Sequence, residues 1–166
     1  MCCFIDTTLF NNTRNDRKKM EILHVELTDL EAVKQFVTQV SEVDVLPHFN
    51  EQGKMAYESR VLPDIVTTFD IGRFQILKVV CTGEIVGFGA LRDGNYLTHL
   101  FVSKSVQGQG IGKRLLNALL DTSEAKEISL RSSVNAVGFY ESYGFEATGS
   151  EADFNGIRFV PMCLAR

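Results

Sequence analysis

The stretch Val102-Ser103-Lys104-Ser105-Val106-Gln107-Gly108-Gln109-Gly110-Ile111-Gly112-Lys113 joins a segment of strand character to one of helical character. Upstream, Tyr96 to Ser103 reads as a strand, and Leu100-Phe101-Val102 is apolar without alternation, as in a strand covered on both faces. Downstream, Ile111, Leu115, Leu116, Leu119 and Leu120 fall on one face of an amphipathic helix. Glycines between the two let the backbone approach a ligand without Cβ atoms in the way. The first amides of a helix have no intrahelical acceptor and point at whatever sits before it. Together these features make an anion site suited to phosphate.

Three phosphate patterns compete for this stretch. A P-loop ending at Lys113 needs glycine where Gln107 stands and serine or threonine where Arg114 stands, so it fails twice. A dinucleotide fingerprint starting at Gly108 would need its last glycine at Lys113. It also belongs after the first strand of a parallel unit, whereas the strands here read as an antiparallel meander. The third pattern, Q/R-x-x-G-x-G/A, is met at every fixed position by Gln107, Gly110 and Gly112. In this it resembles the pyrophosphate loop of the GNAT superfamily of N-acetyltransferases. Downstream, Asn135-Ala136-Val137-Gly138-Phe139-Tyr140-Glu141-Ser142-Tyr143-Gly144-Phe145 resembles the other signature of that superfamily, A-x-x-F-Y-x-x-x-G-F. One detail departs: many members place their asparagine where Ser133 stands. The resemblance covers roughly residues 21–165.

The resemblance implies a fold of the α+β (α/β/α) class: a mixed, mostly antiparallel, twisted sheet with a central splay, flanked by about four helices. The splay should open between the strand before the glycine loop and a strand at 127–132. It also implies acetyl-CoA as co-substrate and no metal. The pantetheine arm would lie in the splay against the backbone of Leu100, Phe101 and Val102. The pyrophosphate would sit on the loop Gln107, Gly108, Gln109, Gly110, Ile111, Gly112 and Lys113. Asn135 and Phe139 would flank the cofactor. Asn135 also suits a helix N-cap and Phe139 suits a core, and these readings are compatible with the first.

Working outward, residues 1–19 are polar and aperiodic and read as a loose extension before a single domain over 20–166. Glu21 to Leu27 alternates as a strand. Thr28-Asp29-Leu30-Glu31 has the form of a capping box before a helix carrying Leu30, Val33, Phe36, Val37 and Val40 on one face. Pro47, Gly53 and Pro63 interrupt residues 45–70, where one or two short helices are expected. Phe74 to Cys81 and Glu84 to Arg92 form a tight hairpin about Thr82-Gly83. A strand at 127–132, a short helix over 135–143 ended by Gly144, and closing strands at 145–148 and 157–164 follow. Pro161 predicts an edge or a bulge for the last strand.

Composition sets limits on function. Of 166 residues, 45% are hydrophobic and 23% charged, the balance of a globular domain. The net charge of −4 and the lack of a basic stripe argue against a nucleic-acid partner. No apolar run has the length of a membrane helix, and the N-terminus has no signal-peptide core, so a cytoplasmic location is the default. Cys2, Cys3, Cys81 and Cys163 show neither zinc spacing nor a disulfide framework and read as reduced.

The implied chemistry is direct attack of an amine, from a small molecule or a peptide, on a thioester, without a covalent enzyme intermediate. A backbone N–H near Phe101 or Val102 would face the developing oxyanion. Tyr140 matches the tyrosine acid of the superfamily, and a phenol with pKa about 10 is protonated at neutral pH. A base is less evident. Several members carry one early in the strand before the glycine loop, where Tyr96 and Thr98 should face the acceptor and His99 the opposite side. Water is therefore expected to deprotonate the amine. Asp44, Glu51, Tyr57, Glu58, Glu151 and Asp153, in the two segments that recognise acceptors in the superfamily, could attract an ammonium group or serve only as exposed loop residues. A monomer or homodimer is expected. The alternative function is an acyl-CoA sensor or interaction module without transfer.

Overall fold

In a computed structural model, residues 19–166 are described. The extension expected over residues 1–19, and with it Cys2 and Cys3, lies outside them except for Lys19. Eight strands form one sheet: β1 Met20–His24, β2 Phe74–Cys81, β3 Glu84–Arg92, β4 Tyr96–Val102, β5 Glu127–Ser133, β6 Glu146–Ala147, β7 Ala152–Phe154 and β8 Ile157–Ala165. The spatial order is β1-β2-β3-β4-β5-β8-β6, with β7 also on β8. Every pairing is antiparallel except β4 with β5. The α+β sheet expected from the sequence is therefore present. The helices are α1 Leu30–Asp44, α2 Glu51–Ala56, α3 Leu62–Thr67, α4 Ile111–Leu120 and α5 Val137–Tyr143. A π-helical turn, Tyr57–Val61, makes α2 and α3 continuous, so four helical bodies flank the sheet.

Two apolar layers hold the helices to the sheet. On one face Leu115, Leu116 and Leu119 of α4 pack with Leu77, Val79, Leu91, Leu97 and Leu100. On the other, Val33, Phe36 and Val37 of α1 and Ile65 of α3 pack with Ile76, Phe88, Ala90 and Phe101. Leu115, Leu116 and Leu119 are wholly buried, and each such side chain stabilises the fold by about 1.5–3 kcal/mol relative to exposure.

The parallel contact between β4 and β5 decides where a ligand can enter. It consists of Tyr96↔Ser129 and Leu97↔Leu130 alone. Beyond Leu97 the two strands part, which is the central splay expected from the resemblance. A second irregularity lies on the other edge of β4. His99 pairs with Ala90 and Leu97 with Leu91, so Thr98 is an extra residue in a β-bulge. The Thr98 hydroxyl fills the gap by donating to the Ala90 carbonyl at 3.0 Å. The bulge shifts the alternation: Leu97 and Leu100 face α4, whereas His99 and Phe101 face the α1 side.

Three local expectations change. The capping box lies two residues earlier: Glu26 rather than Thr28 is the N-cap, before a 3₁₀ turn over Leu27–Asp29, and the Asp29 carboxylate reaches back to accept from Glu26 N at 2.7 Å and also from Lys78 Nζ at 2.6 Å. An ionised acceptor held by two donors fixes this turn, and Glu31 pairs with Lys34. The last strand is not at an edge and has no bulge at Pro161. It lies between β5 and β6–β7, and the Pro161 carbonyl accepts from Thr148 N at 2.9 Å. Its ring nitrogen faces the same side, at the break between β6 and β7, where no ladder donor is needed. Finally, β7 is a strand the sequence reading lacks, because Ala152–Phe154 is wholly exposed and carries no buried alternation.

That short strand matters for the site. Gly53 in α2 rests against the β7–β8 turn so closely that a Cβ there would lie 2.5 Å from the Gly156 carbonyl oxygen. This contact brings the helical run 51–67 up to the C-terminal hairpin, and a cavity forms between them.

Candidate active site

The glycine loop closes onto α4 with Gly108 and Gly110 both at φ +75°, a conformation that favours glycine. A Cβ at either would meet nothing within 4 Å, so the backbone there borders open space. Gly110 is the N-cap and brings no side-chain cap. The first intrahelical bond runs from Arg114 N to the Gly110 carbonyl. The amides of Ile111, Gly112 and Lys113 therefore precede the helical ladder and are available to an anion. No acidic residue occupies this first turn. Ile111 and Gly112 are buried beneath the loop, while Gly108, Gln109 and Lys113 are exposed. The residues present fit a pyrophosphate.

Gln107 does something different from its neighbours. Its side-chain Nε2 donates to the Val102 carbonyl at 3.0 Å and to Asp44 Oδ2 at 3.2 Å. It thereby ties the start of the loop to the end of β4 and to the last residue of α1. Asp44 is itself buried, with Lys104 Nζ at 3.7 Å.

The loop leads directly into the splay. Ser103 N donates to the Val86 carbonyl of β3 at 2.9 Å. By strand alternation, Phe101 also turns its backbone to β3, whereas Leu100 and Val102 turn theirs toward β5, in the stretch where β5 no longer pairs. Across the opening, β5 ends at Ser133, whose buried hydroxyl oxygen has no hydrogen-bond partner among the described residues. It stands where many superfamily members carry asparagine, and nothing in the sequence marks its burial. Asn135 follows, exposed, in a 3₁₀ turn that leads into α5. Phe139 and Tyr140 are buried, and the Tyr140 ring packs edge-on against Phe139 and Phe145 with centroids 5.0 and 5.5 Å away.

On the α1 side of β4, a cavity of about 320 Å³ opens beneath the C-terminal hairpin, lined by Arg60, Asp64, Tyr96, His99, Arg131 and Phe159 among others. His99 belongs here with Tyr96, contrary to the strict alternation read from the sequence; the bulge at Thr98 is the reason. Nδ1 of His99 lies 3.0 Å from Thr98 Oγ1. The threonine proton is already given to Ala90, so the oxygen must accept and Nδ1 carries the hydrogen. That leaves Nε2 with a bare lone pair, buried and without a partner among the described residues. Burial holds the imidazole well below its ordinary pKa, so it is neutral at physiological pH.

The acidic residues proposed to attract an ammonium are occupied elsewhere. Asp44 serves Gln107, Glu51 pairs with Lys54, Glu151 pairs with Arg158, and Asp153 accepts from Gly156 N. Tyr57 is wholly buried, its hydroxyl bonded to Ser41 Oγ at 2.9 Å. None of these, nor Glu58, lines the cavity. Among the described residues no helix is long and apolar enough to cross a membrane, and no group of three or more His, Cys, Asp or Glu side chains could hold a metal.

A mixed sheet that splays beside a strand, with an open glycine loop at the end of that strand, defines a class of fold. A family profile described as an acetyltransferase (GNAT) domain matches residues 45–166. The chain belongs to the GNAT acetyltransferase family. It is similar to the peptidyl-lysine N-acetyltransferase YjaB of Salmonella typhimurium, 40% identical over 72 residues, covering 42% of this chain and 49% of that one. It is also similar to a spermine/spermidine N(1)-acetyltransferase of Bacillus subtilis, 34% identical over 92 residues, covering 45% and 60% of the two chains. The matches thus span about half to three-fifths of these relatives. In fold it resembles a GCN5-related N-acetyltransferase from Rhodopseudomonas palustris, with a TM-score of 0.75 at 17% identity over 93% of this chain and 100% of that one. The PaiA N-acetyltransferase of Thermoplasma acidophilum, solved with coenzyme A, aligns with a TM-score of 0.67 at 20% identity over 89% and 99%.

Proposed function

We propose that this protein transfers an acetyl group from acetyl-CoA to a primary amine of a small molecule or peptide. The observation that carries this reading is the continuity of the open glycine loop with the unpaired edge of β4. An amide cradle for phosphates and a row of backbone groups for an amide-rich arm lie end to end. The relatives named for peptidyl-lysine and for spermine and spermidine support an amine as acceptor.

Bound acetyl-CoA supplies an acyl group already activated as a thioester. The amides of Gly108 to Lys113 would hold its pyrophosphate, and the Leu100 backbone and the Val102 N–H would hold the arm, the Val102 carbonyl being engaged by Gln107. Ser133 Oγ at the end of β5 and Asn135 in the turn after it would face the arm, and Phe139 would back it. On the other side of β4, neutral His99 Nε2 takes the proton that the amine loses as its nitrogen bonds to the acyl carbon. The Tyr140 hydroxyl gives a proton to sulfur as the carbon–sulfur bond breaks. The two residues return to their starting protonation through solvent. Holding both reactants in one place supplies much of the rate, since well-oriented groups reach effective concentrations of about 10⁵ M or more.

The test is an amine panel with acetyl-CoA, followed by free-thiol release, beside calorimetry of acetyl-CoA binding. Release with at least one amine is expected. Binding without release for every amine identifies an acyl-CoA sensor, and absence of binding removes the reading altogether.

A further inference from the structure

The cavity beside His99 has the opposite charge from the one a polyamine needs. Arg60 reaches it from the π-helical turn and Arg131 from β5, with Asp64 the one acid in the lining. Each arginine holds its guanidinium over an aromatic ring of the C-terminal hairpin. The Arg60 guanidinium carbon is 5.2 Å from the Phe154 ring centroid, and that of Arg131 is 4.8 Å from the Phe159 centroid. A cation–π contact of this kind holds the guanidinium in place and leaves N–H groups for a partner. Neither has an ion-pair partner among the described residues, whereas Arg73, Arg92 and Arg158 each have a carboxylate nearby. A third arginine over a ring, Arg92 at 4.7 Å from the Tyr96 centroid, lines the adjoining depression, which Arg131 and Tyr96 share.

We propose that the acceptor is an amine that also carries an oxyanion, a carboxylate or a phosphate, and that Arg131 and Arg60 bind that group. This rests on the transferase reading above. The forked N–H edge of arginine matches a two-oxygen anion. The cavity's size, about 320 Å³, sits at the small end for ligand pockets and suits a molecule of amino-acid to dipeptide scale. Phe154, Ile157 and Phe159 supply apolar wall for its remainder. The neutral His99 lies within the same lining, so one molecule can offer its anion to the arginines and its amine to the histidine.

Matched pairs test this directly. Acetylation of glycine, leucine and phenylalanine is compared with that of their amides, and aminoalkyl phosphates are compared with the corresponding amino alcohols. A polyamine without an anion is added. The anion-bearing member of at least one series should have the higher kcat/KM, and the series in which it wins separates carboxylate from phosphate. Arg131→Gln should raise KM for the preferred acceptor about tenfold or more with kcat little changed. It should leave KM for the uncharged partner unaltered. Calorimetry with the N-acetyl acids and their amides, in the presence of CoA, reads the same preference without turnover. If no amine is acetylated, the transferase reading fails, and this binding comparison alone decides the anion site. Equal or better performance by the uncharged or polycationic amines, equal effects of Arg131→Gln on both members, or no binding preference overturns the proposal. Arg60→Gln, on an exposed helical turn, provides a second variant if Arg131→Gln does not fold.

Discussion

Thr98 Oγ1 and His99 Nδ1 lie 3.0 Å apart, and the direction of the hydrogen bond between them is fixed by a third group, the Ala90 carbonyl. The threonine has one proton and spends it on that carbonyl, so the imidazole must present Nδ1–H to it. The bulge that makes Thr98 an extra residue thus turns the histidine toward the acceptor side and also sets its tautomer.

If His99 is the base, His99→Gln should lower kcat by about 10² or more, the range for losing one general acid–base group. Acetyl-CoA affinity, read by calorimetry, should stay within about twofold, since the histidine lies across β4 from the glycine loop. Thr98→Val keeps the imidazole but removes its acceptor. It should cost about tenfold or less in kcat, because the ring then samples both tautomers. A His99→Gln enzyme with full kcat would return deprotonation of the amine to water.

Buried His99 also couples stability to pH. Desolvation keeps its folded pKa well below the ordinary value, whereas the unfolded chain takes up a proton near pH 6.5. Below about pH 6.5 the unfolded state therefore binds more protons, and stability falls as pH falls, by up to about 1.4 kcal/mol per pH unit for this group. Its contribution is fully present above that pH. Urea denaturation between pH 7.5 and 5.5 should show a steeper loss for the parent than for His99→Gln. Equal slopes would mean that the imidazole is protonated in the fold as readily as outside it.

Much of this architecture is legible in sequence because it is local. The Gln107–Gly112 loop, the hairpin about Thr82-Gly83 and the α4 stripe each need only their own residues. The splay follows from the family resemblance and is realised as two β4–β5 pairs. What sequence does not disclose depends on register and distance in the chain. Thr98 is a good strand former, so nothing marks it as a bulge, and one inserted residue reverses the reading of His99. Asp44 reads as an exposed acid until α1 and Gln107 close over it. Arg131 and Phe159 meet through the pairing of β5 with β8, and Arg60 joins them on the helical run whose Gly53 docks on the β7–β8 turn, so the charge of the cavity is invisible beforehand.

At Gly110 two effects can be separated. Any side chain there meets a φ of +75°, which costs roughly 1–2 kcal/mol for an L-residue. Gly110→Ala should show that loss in thermal unfolding and should weaken acetyl-CoA binding modestly. Gly110→Glu adds a carboxylate at the mouth of the amide cradle and should abolish binding detectable by calorimetry. Equal affinities for the two variants would mean that the pyrophosphate does not lie on this loop.

Tyr140 needs the same separation, here between acid and core. Its ring is wholly buried between Phe139 and Phe145. Leucine there would open a cavity and cost about 2–4 kcal/mol, so a loss of activity in that variant says little about chemistry. Tyr140→Phe keeps the ring and the edge-on packing and removes the hydroxyl alone. With Tyr140 as the acid, kcat should fall about 10- to 100-fold, while acetyl-CoA affinity barely moves and stability falls by no more than about 1.5 kcal/mol, the scale of one hydrogen bond. The pH profile gives the sharper reading. A phenol that must be protonated imposes an alkaline limb on kcat, and that limb should disappear in Tyr140→Phe. If kcat and its alkaline limb are both unchanged, Tyr140 belongs to the core, and the thiolate leaves with a proton from solvent.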